Sequence, residues 1–364
     1  MLQSIEIENF RCFRHSRFEN FGQVNLIGGK NNAGKTALLE AILLGTVPIK
    51  ESIYSLQTFR LENIELFNVF PELAWGNFFY RQEKDSKIKI LSSLFKKEEI
   101  KVSLECIEGK VEIKSTPKPK NEVELVKIED NEIRQGMGFS SLIIYAETPC
   151  GILEDSIPHS YFFFPEMPKA ESQSSPLSKF IPAGFKATPT FLAREFDEAK
   201  LKGNTNHILD AFRLIDDTIE KIDTINLGEP RIYIFRKNEK PQPLNFFGDA
   251  LNKVADLILR VSNNPNCILL IDEIENGIHH TNQQEFWQML IKLAVAKDVQ
   301  IFATSHSAEM IGAFQTAAMA DKQEDKVRYI AMFKSARNGE IVGAQRDMET
   351  LGYNLRTENP YRGE

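Results

Sequence analysis

The chain has 364 residues, 42% hydrophobic and 26% charged, proportions ordinary for a soluble globular protein and sufficient for one large α/β domain or two to three average ones. A formal net charge of −7 excludes an overall basic field for nucleic acid, so any DNA contact would need a local patch. Scattered Cys12, Cys106, Cys150 and Cys267 argue against structural zinc and for a reducing compartment. With no signal peptide and no apolar run near the roughly 20 residues of a bilayer crossing, a cytoplasmic protein without a membrane partner is expected.

Ile5 and Ile7 alternate with Glu6 and Glu8, predicting a half-buried strand. Asn9-Phe10-Arg11-Cys12-Phe13, Phe18 and Phe21 continue an antiparallel lobe, with Arg11 read as an exposed turn residue. Val24, Leu26 and Ile27 form the next strand. It runs into Gly29-Lys30-Asn31-Asn32-Ala33-Gly34-Lys35-Thr36, which fits G-x-x-x-x-G-K-[ST]. Ala37 to Leu44 reads as a helix, with Gly45 as its C-terminal cap. Strand, glycine-rich loop and helix N-terminus in that order suit a phosphate, because backbone N–H groups curl around the anion and the helix dipole favours it. Gly29, Asn31, Asn32, Ala33, Gly34, Lys35, Thr36 and Ala37 are the candidate ATP-binding set. Lys35 would reach the β- and γ-phosphates, and Thr36 would ligate Mg2+.

Gln57 is a weaker candidate for magnesium or water, and Trp75 and Phe78-Phe79 read as core or interface aromatics in a stretch that does not divide cleanly. Val102, Leu104 and Cys106 alternate with charged residues, and Glu108-Gly109 reads as the turn of a hairpin returning through Val111–Lys114. Lys110, Lys114, Lys118 and Lys120 read as a charged hairpin edge. Residues 116–121 mark a loop tip, and extended structure resumes from Val123 to Ile128. Leu142–Tyr145 and Tyr161–Pro165 read as strands and Glu171–Pro176 as a connector. Ile208, Leu209, Phe212, Ile215, Ile219 and Ile222 predict a helix over 204–225, and Arg231–Phe235 a strand.

Cys267-Ile268-Leu269-Leu270-Ile271 predicts a central parallel strand, and Asp272-Glu273 sits at its carboxyl end, where ligands bind in open α/β sheets. Asp272 would hold the magnesium, and Glu273 would orient the attacking water and take its proton. Val299–Ala303 is the next strand, followed by Thr304-Ser305-His306-Ser307, where His306 could donate to the γ-phosphate. The neighbours His279 and His280 are read as facing apart, without a metal role. Val327–Glu340 reads as a closing hairpin. Asp347, Glu349 and the terminal acids make no metal site.

With these three motifs in order, the chain resembles the ABC-type ATPase heads of the SMC, RecF and OLD families, and most of all the OLD-like ATPases of bacterial anti-phage systems. The matching stretches, Ile5–Leu44 and Leu244–Phe314, cover about a third of the chain. The resemblance implies an α/β P-loop NTPase of ABC-ATPase type, with a central mostly parallel sheet flanked by helices plus an antiparallel β lobe. It implies one head over residues 1–364, its nucleotide core from 1–60 and 240–345 and a β-rich, helical insertion over 61–239. Two heads would close head-to-tail around two ATP molecules as a homodimer or higher homo-oligomer. Asn245–Leu251, with Gly248 at its centre, would face the other subunit's phosphates, ahead of a helix carrying Leu251, Val254, Ile258 and Val261. Gly248-Asp249-Ala250 lacks the serine and one glycine of the usual signature, and Glu275-Asn276-Gly277 would touch the opposite site.

Residues 45–244 show no coiled-coil arms, and Ser307–Glu364 is shorter than the roughly 100 residues a Toprim nuclease needs for its own core. The expectation is an ATP-hydrolysing switch for a separately encoded effector, a Toprim or HNH nuclease, in phage defence. The alternatives are a RecF-like DNA-repair ATPase that binds DNA, and a non-hydrolysing ATP-dependent scaffold motivated by the altered signature.

Overall fold

The computed structural model describes residues 1–60, 70–111, 137–158, 178–213, 216–320 and 322–357. The expectations for Lys114, Lys118 and Lys120, the tip at 116–121, the strands at 123–128 and 161–165, the connector at 171–176, Ile215 and the terminal acids lie outside the described residues. Two compact units are present. One comprises Met1–Gln3, Phe18–Leu39 and Ser175–Glu364; the other comprises Ser4–Arg17 and Glu40–Ser174.

The opening strands β1 (Leu2–Phe10) and β2 (Phe13–Phe18) follow the alternation read in the sequence, with Ile5 and Ile7 buried. They are followed by β3 (Val24–Gly29), α1 (Lys35–Thr46) and α2 (Lys50–Phe59). Next come β4 (Ile88–Leu94), β5 (Glu99–Val111), β6 (Met137–Thr148) and β7 (Gly151–Pro158). The lobe's sheet has the order β2-β1-β4-β5-β6-β7, and β4 to β7 pair antiparallel. Trp75, Phe78 and Phe79 are buried, as expected of core aromatics.

Three local readings are corrected in this second unit. Glu108-Gly109 is not a turn: β5 runs straight through it and takes its partner from β6, with Glu108 opposite Ser140. Gly45 does not cap α1, which continues to Thr46. A Cβ at Gly45 would collide with Ser92 Oγ and come within 2.8 Å of Ile90 Cγ2, so the glycine lets the helix approach β4. Arg11 is not an exposed turn residue. Its side chain is buried, donating from Nε to Glu40 Oε2 at 3.0 Å and from Nη1 to Asn77 O at 2.8 Å, with its guanidinium 4.4 Å from the Phe78 ring centroid.

The first unit carries the remaining strands, β8 (Ser178–Ile181), β9 (Ile219–Asn226), β10 (Pro230–Arg236), β11 (Gln242–Pro243), β12 (Ile268–Ile271), β13 (Gln300–Ser305), β14 (Val327–Lys334) and β15 (Ile341–Arg346). Its main sheet has the order β15-β14-β3-β13-β12-β8, parallel throughout except β15, which forms the closing hairpin with β14. Every residue of β3, β12 and β13 is buried, as strands covered on both faces require. The expected α/β class, a mostly parallel sheet with helices and an antiparallel lobe, is the class observed. Helices α3 (Pro189–Leu201), α4 (Thr205–Arg213), α5 (Gly248–Asn263), α6 (Gln283–Lys297), α7 (Ala308–Ala320) and α8 (Met348–Thr357) supply Phe196, Phe212, Leu257, Trp287, Phe314 and Leu351 to the core around Leu269 and Ile301.

The helix expected over 204–225 is instead α4 followed by β9. A register shift opposite Phe235/Arg236 makes Ile219 and Ile222 both point inward while Glu220 and Lys221 are exposed. Such a bulge turns the strand's spacing of two into three, which imitates a helical period. Asp347, set aside as a metal ligand, caps α8 by accepting the Thr350 N–H at 2.7 Å.

Candidate functional site

The registers of three neighbouring strands determine the site. Ile271 of β12 pairs with Ala303 of β13, and Thr304 and Ser305 of β13 pair with Ile27 and Gly28 of β3. The carboxyl ends of β3, β13 and β12 therefore finish level, and the phosphate loop, His306 and Asp272-Glu273 all leave the sheet at one edge. On the far side of β3, β14 approaches so closely that a Cβ on Gly29 would lie 2.5 Å from Met332 O. Only glycine fits there. The loop itself is bent through positive φ at Asn32 (62°) and Gly34 (85°).

Lys35 and Thr36 open α1. The Lys35 ammonium folds over its own loop, donating to Gly29 O at 2.9 Å and Lys30 O at 3.0 Å. Thr36 Oγ1 lies 3.0 Å from both carboxylate oxygens of Asp272, across 236 positions of sequence. Asp272 is 8% exposed, and its Oδ1 also accepts from Thr304 Oγ1 at 2.6 Å. The same hydroxyl accepts the Glu273 N–H at 2.8 Å, so Thr304 holds both acids at once. Glu273 has φ 48°, a left-handed conformation that turns the chain away from β12. Its Oε2 accepts from Asn276 Nδ2 at 2.9 Å, and Asn276 also reaches Ala183 O at 3.3 Å.

Of the candidates, Thr36, Asp272 and Glu273 are joined in one hydrogen-bonded set. Lys35 and Gly29 share the loop beside it, Asn31 and Asn32 are exposed on that loop, and Ala33 and Ala37 are buried beneath it. His306 stands at the same sheet edge, with its backbone N–H donating to Glu275 Oε1 at 2.8 Å and its Nδ1 at 2.8 Å from the same oxygen. Gly248 takes no part in this set. It begins α5 exposed, with φ 81° and open space where a Cβ would go, and the following helix buries Leu251, Val254, Ile258 and Val261 as expected. Gln57 is corrected: its amide is buried in the second unit and donates to Ala74 O at 3.3 Å. His279 and His280 do not face apart, since their ring centroids are 4.2 Å apart, and His279 Nδ1 engages Thr281 Oγ1 at 2.9 Å.

The sequence singles out neither Thr304 nor Lys253 for a role of its own, and it marks Glu275 and Asn276 only as part of a loop touching the opposite site. Lys253, on the second turn of α5, has its ammonium pushed below the usual lysine range by burial, against the opposing pull of Asp256, Asp272 and Glu275. Thr304 lies in the strand-end stretch that the sequence marks, but its place level with Asp272 follows from the pairing of Ile271 with Ala303. That Glu275 engages His306 and Asn276 engages Glu273 within one chain follows only from the fold.

The donor set fits magnesium. It consists of a hydroxyl and a carboxylate, both hard oxygens, and their 3.0 Å separation matches neighbouring corners of an octahedron with bonds of about 2.1 Å.

A family profile described as "AAA domain" matches residues 4–227, more than half of the chain, and one described as "AAA ATPase domain" matches residues 244–311. The chain belongs to the AAA domain family. As a member it is an ATP-binding protein of the AAA ATPase kind. It is 24% identical over 368 residues to an ATP/GTP phosphatase of Helicobacter pylori, covering 90% of this chain and 94% of that one. A shorter stretch of 50 residues is 42% identical to the DNA double-strand break repair Rad50 ATPase of Archaeoglobus fulgidus, covering 14% of this chain and 6% of that protein. Among solved structures, an Smc head bound to the C-winged helix domain of ScpA aligns over 96% of this chain and 98% of that one, at 12% identity and a TM-score of 0.49. Among the described residues, no helix is long and apolar enough to cross a membrane.

Proposed function

We propose that this AAA-family chain binds and hydrolyses magnesium-ATP at the edge formed by β3, β13 and β12, as one ABC-type head of the OLD-like kind. The observation that carries the reading is the hydrogen bond from Thr36 to Asp272, which joins the phosphate loop to the acidic strand end. Glycine-rich loop and α1 N-terminus offer N–H groups to the phosphates, and Lys35 exchanges its loop carbonyls for the β- and γ-phosphate oxygens. Thr36 and Asp272 would hold the magnesium, which when bound offsets charge on those phosphates. Glu273, oriented by Asn276 and by Thr304, accepts the proton of the attacking water. The name of the Helicobacter relative, an ATP/GTP phosphatase, supports hydrolysis as the outcome.

In the same reading the head closes on a second copy when ATP is bound and reopens after hydrolysis, and this cycle switches a separately encoded effector nuclease in phage defence. Light scattering on the Glu273→Gln chain tests the closure. ATP should take the particle from one 41.5 kDa chain to about two, and an unchanged mass with ATP bound would refute the dimer. The short match to Rad50 favours one other reading, a DNA-binding ATPase, which salt-sensitive retention on duplex DNA would support.

A further inference from the structure

Glu275 follows the two acids that end β12's run, Asp272 and Glu273, and the structure uses it within its own chain. The residue is about one-tenth exposed, while the His306 ring is half exposed. One carboxylate oxygen, Oε1, receives both the His306 backbone N–H and the Nδ1 side of the ring, each at 2.8 Å. An ionised carboxylate has no proton to give, so Nδ1 must be the donor. In a neutral imidazole the single ring proton then resides on Nδ1, and Nε2 presents only a lone pair. A terminal phosphoryl oxygen is likewise an acceptor. Two acceptors make no hydrogen bond, so contact between Nε2 and a γ-phosphate requires a second proton on the ring.

From this geometry we infer that Glu275 is a positioning residue that locks His306 in the Nδ1–H tautomer, so that engaging the γ-phosphate takes up one proton from solvent and losing that phosphate returns it. The balance is simple. On binding, solvent supplies the proton that forms Nε2–H. When the phosphate departs, that bond breaks and the proton goes back to solvent, with no change at any other atom of the pair. The inference rests on the reading of His306 as the group that meets the γ-phosphate.

Charged groups flank this pair along the chain and in space. Glu275 comes from the turn after β12. Glu309, on the first turn of α7, is engaged by Ser307 Oγ at 2.7 Å. Lys253 of α5 lies within electrostatic reach of Glu275 and Asp272.

The test is calorimetric titration of the full chain with magnesium and a non-hydrolysable ATP analogue. It is run at about pH 8, above the usual imidazole range, in two buffers of different ionisation enthalpy. The wild type should take up about one proton per nucleotide bound. His306→Gln, whose amide N–H donates without titrating, should bind with uptake near zero. Glu275→Ala should also bind with uptake near zero, because the released neutral ring can place its proton on Nε2. Heats that do not depend on the buffer in the wild type, or uptake that persists in His306→Gln, overturn the proposal while leaving nucleotide binding intact. A complete lack of binding heat removes the ATP reading together with it. If Glu275→Ala fails to fold, the half-exposed His306→Gln carries the comparison alone.

Discussion

Glu40 of the second unit and Asp272 of the first are both buried carboxylates, and the two are held in different ways. In the second unit Glu40 is 1% exposed and accepts guanidinium donors, Arg11 Nε at 3.0 Å and Arg60 Nε at 2.7 Å. In the first unit Asp272 is 8% exposed and accepts hydroxyl donors, Thr36 at 3.0 Å and Thr304 at 2.6 Å. A guanidinium has no lone pair to offer and always carries charge. A hydroxyl can turn its proton away and present a lone pair to a cation. The first arrangement fixes a fold, and the second leaves room for a metal and its chemistry.

The contrast is sharpest when each acid is replaced by its amide. Asp272→Asn keeps an oxygen for the two hydroxyls but loses the charge. It should lower ATP turnover by about a hundredfold or more, the several kcal/mol a metal-held charge is worth, while the melting midpoint moves little. Glu40→Gln should do the reverse. Breaking a buried pair that serves two arginines should cost about 3–5 kcal/mol in a urea titration. If Asp272→Asn melts the protein as severely as Glu40→Gln does, the distinction between the two acids is lost.

Thr304→Val comes next in size, because it removes one hydroxyl that both donates to Asp272 and accepts from Glu273. Leaving those buried groups unmatched should cost about 1–3 kcal/mol of stability and reduce turnover without abolishing nucleotide binding. The smallest effect belongs to a solvent-facing acid. Lys200 donates to Asp223 at 2.6 Å and Lys221 at 2.8 Å, and these bonds, that of Lys200 first, draw its carboxyl down to about 2. A depressed folded value means the contribution is present above the ordinary carboxylate range near 4 and disappears as pH falls toward about 2. Exposure and screening hold it below about 1 kcal/mol, so Asp223→Asn should flatten the acid limb of a stability–pH curve only slightly.

The site was readable because each of its parts has a local signature: a glycine-rich loop between strand and helix, an apolar strand ending in two acids, and a histidine after the next strand. What joins them was not readable. That Thr304 bridges two acids depends on β12 and β13 pairing Ile271 with Ala303, a register that the spacing of either strand leaves open. Glu275 and Asn276 looked like a loop aimed at another subunit, and in the structure they are engaged with His306 and Glu273. The fold misled where one pattern imitates another. The bulge in β9 spaced Ile219 and Ile222 like a helix, and Glu108-Gly109 resembled a turn because a sequence does not reveal that the partner strand begins 26 residues beyond β5, at Met137.

The most direct test follows phosphate release from magnesium-ATP by the wild type and by Glu273→Gln, with nucleotide binding measured on both. The account predicts binding by both chains and a rate about a thousandfold lower in Glu273→Gln, within the range that a positioned base contributes. Equal rates in the two chains would contradict it.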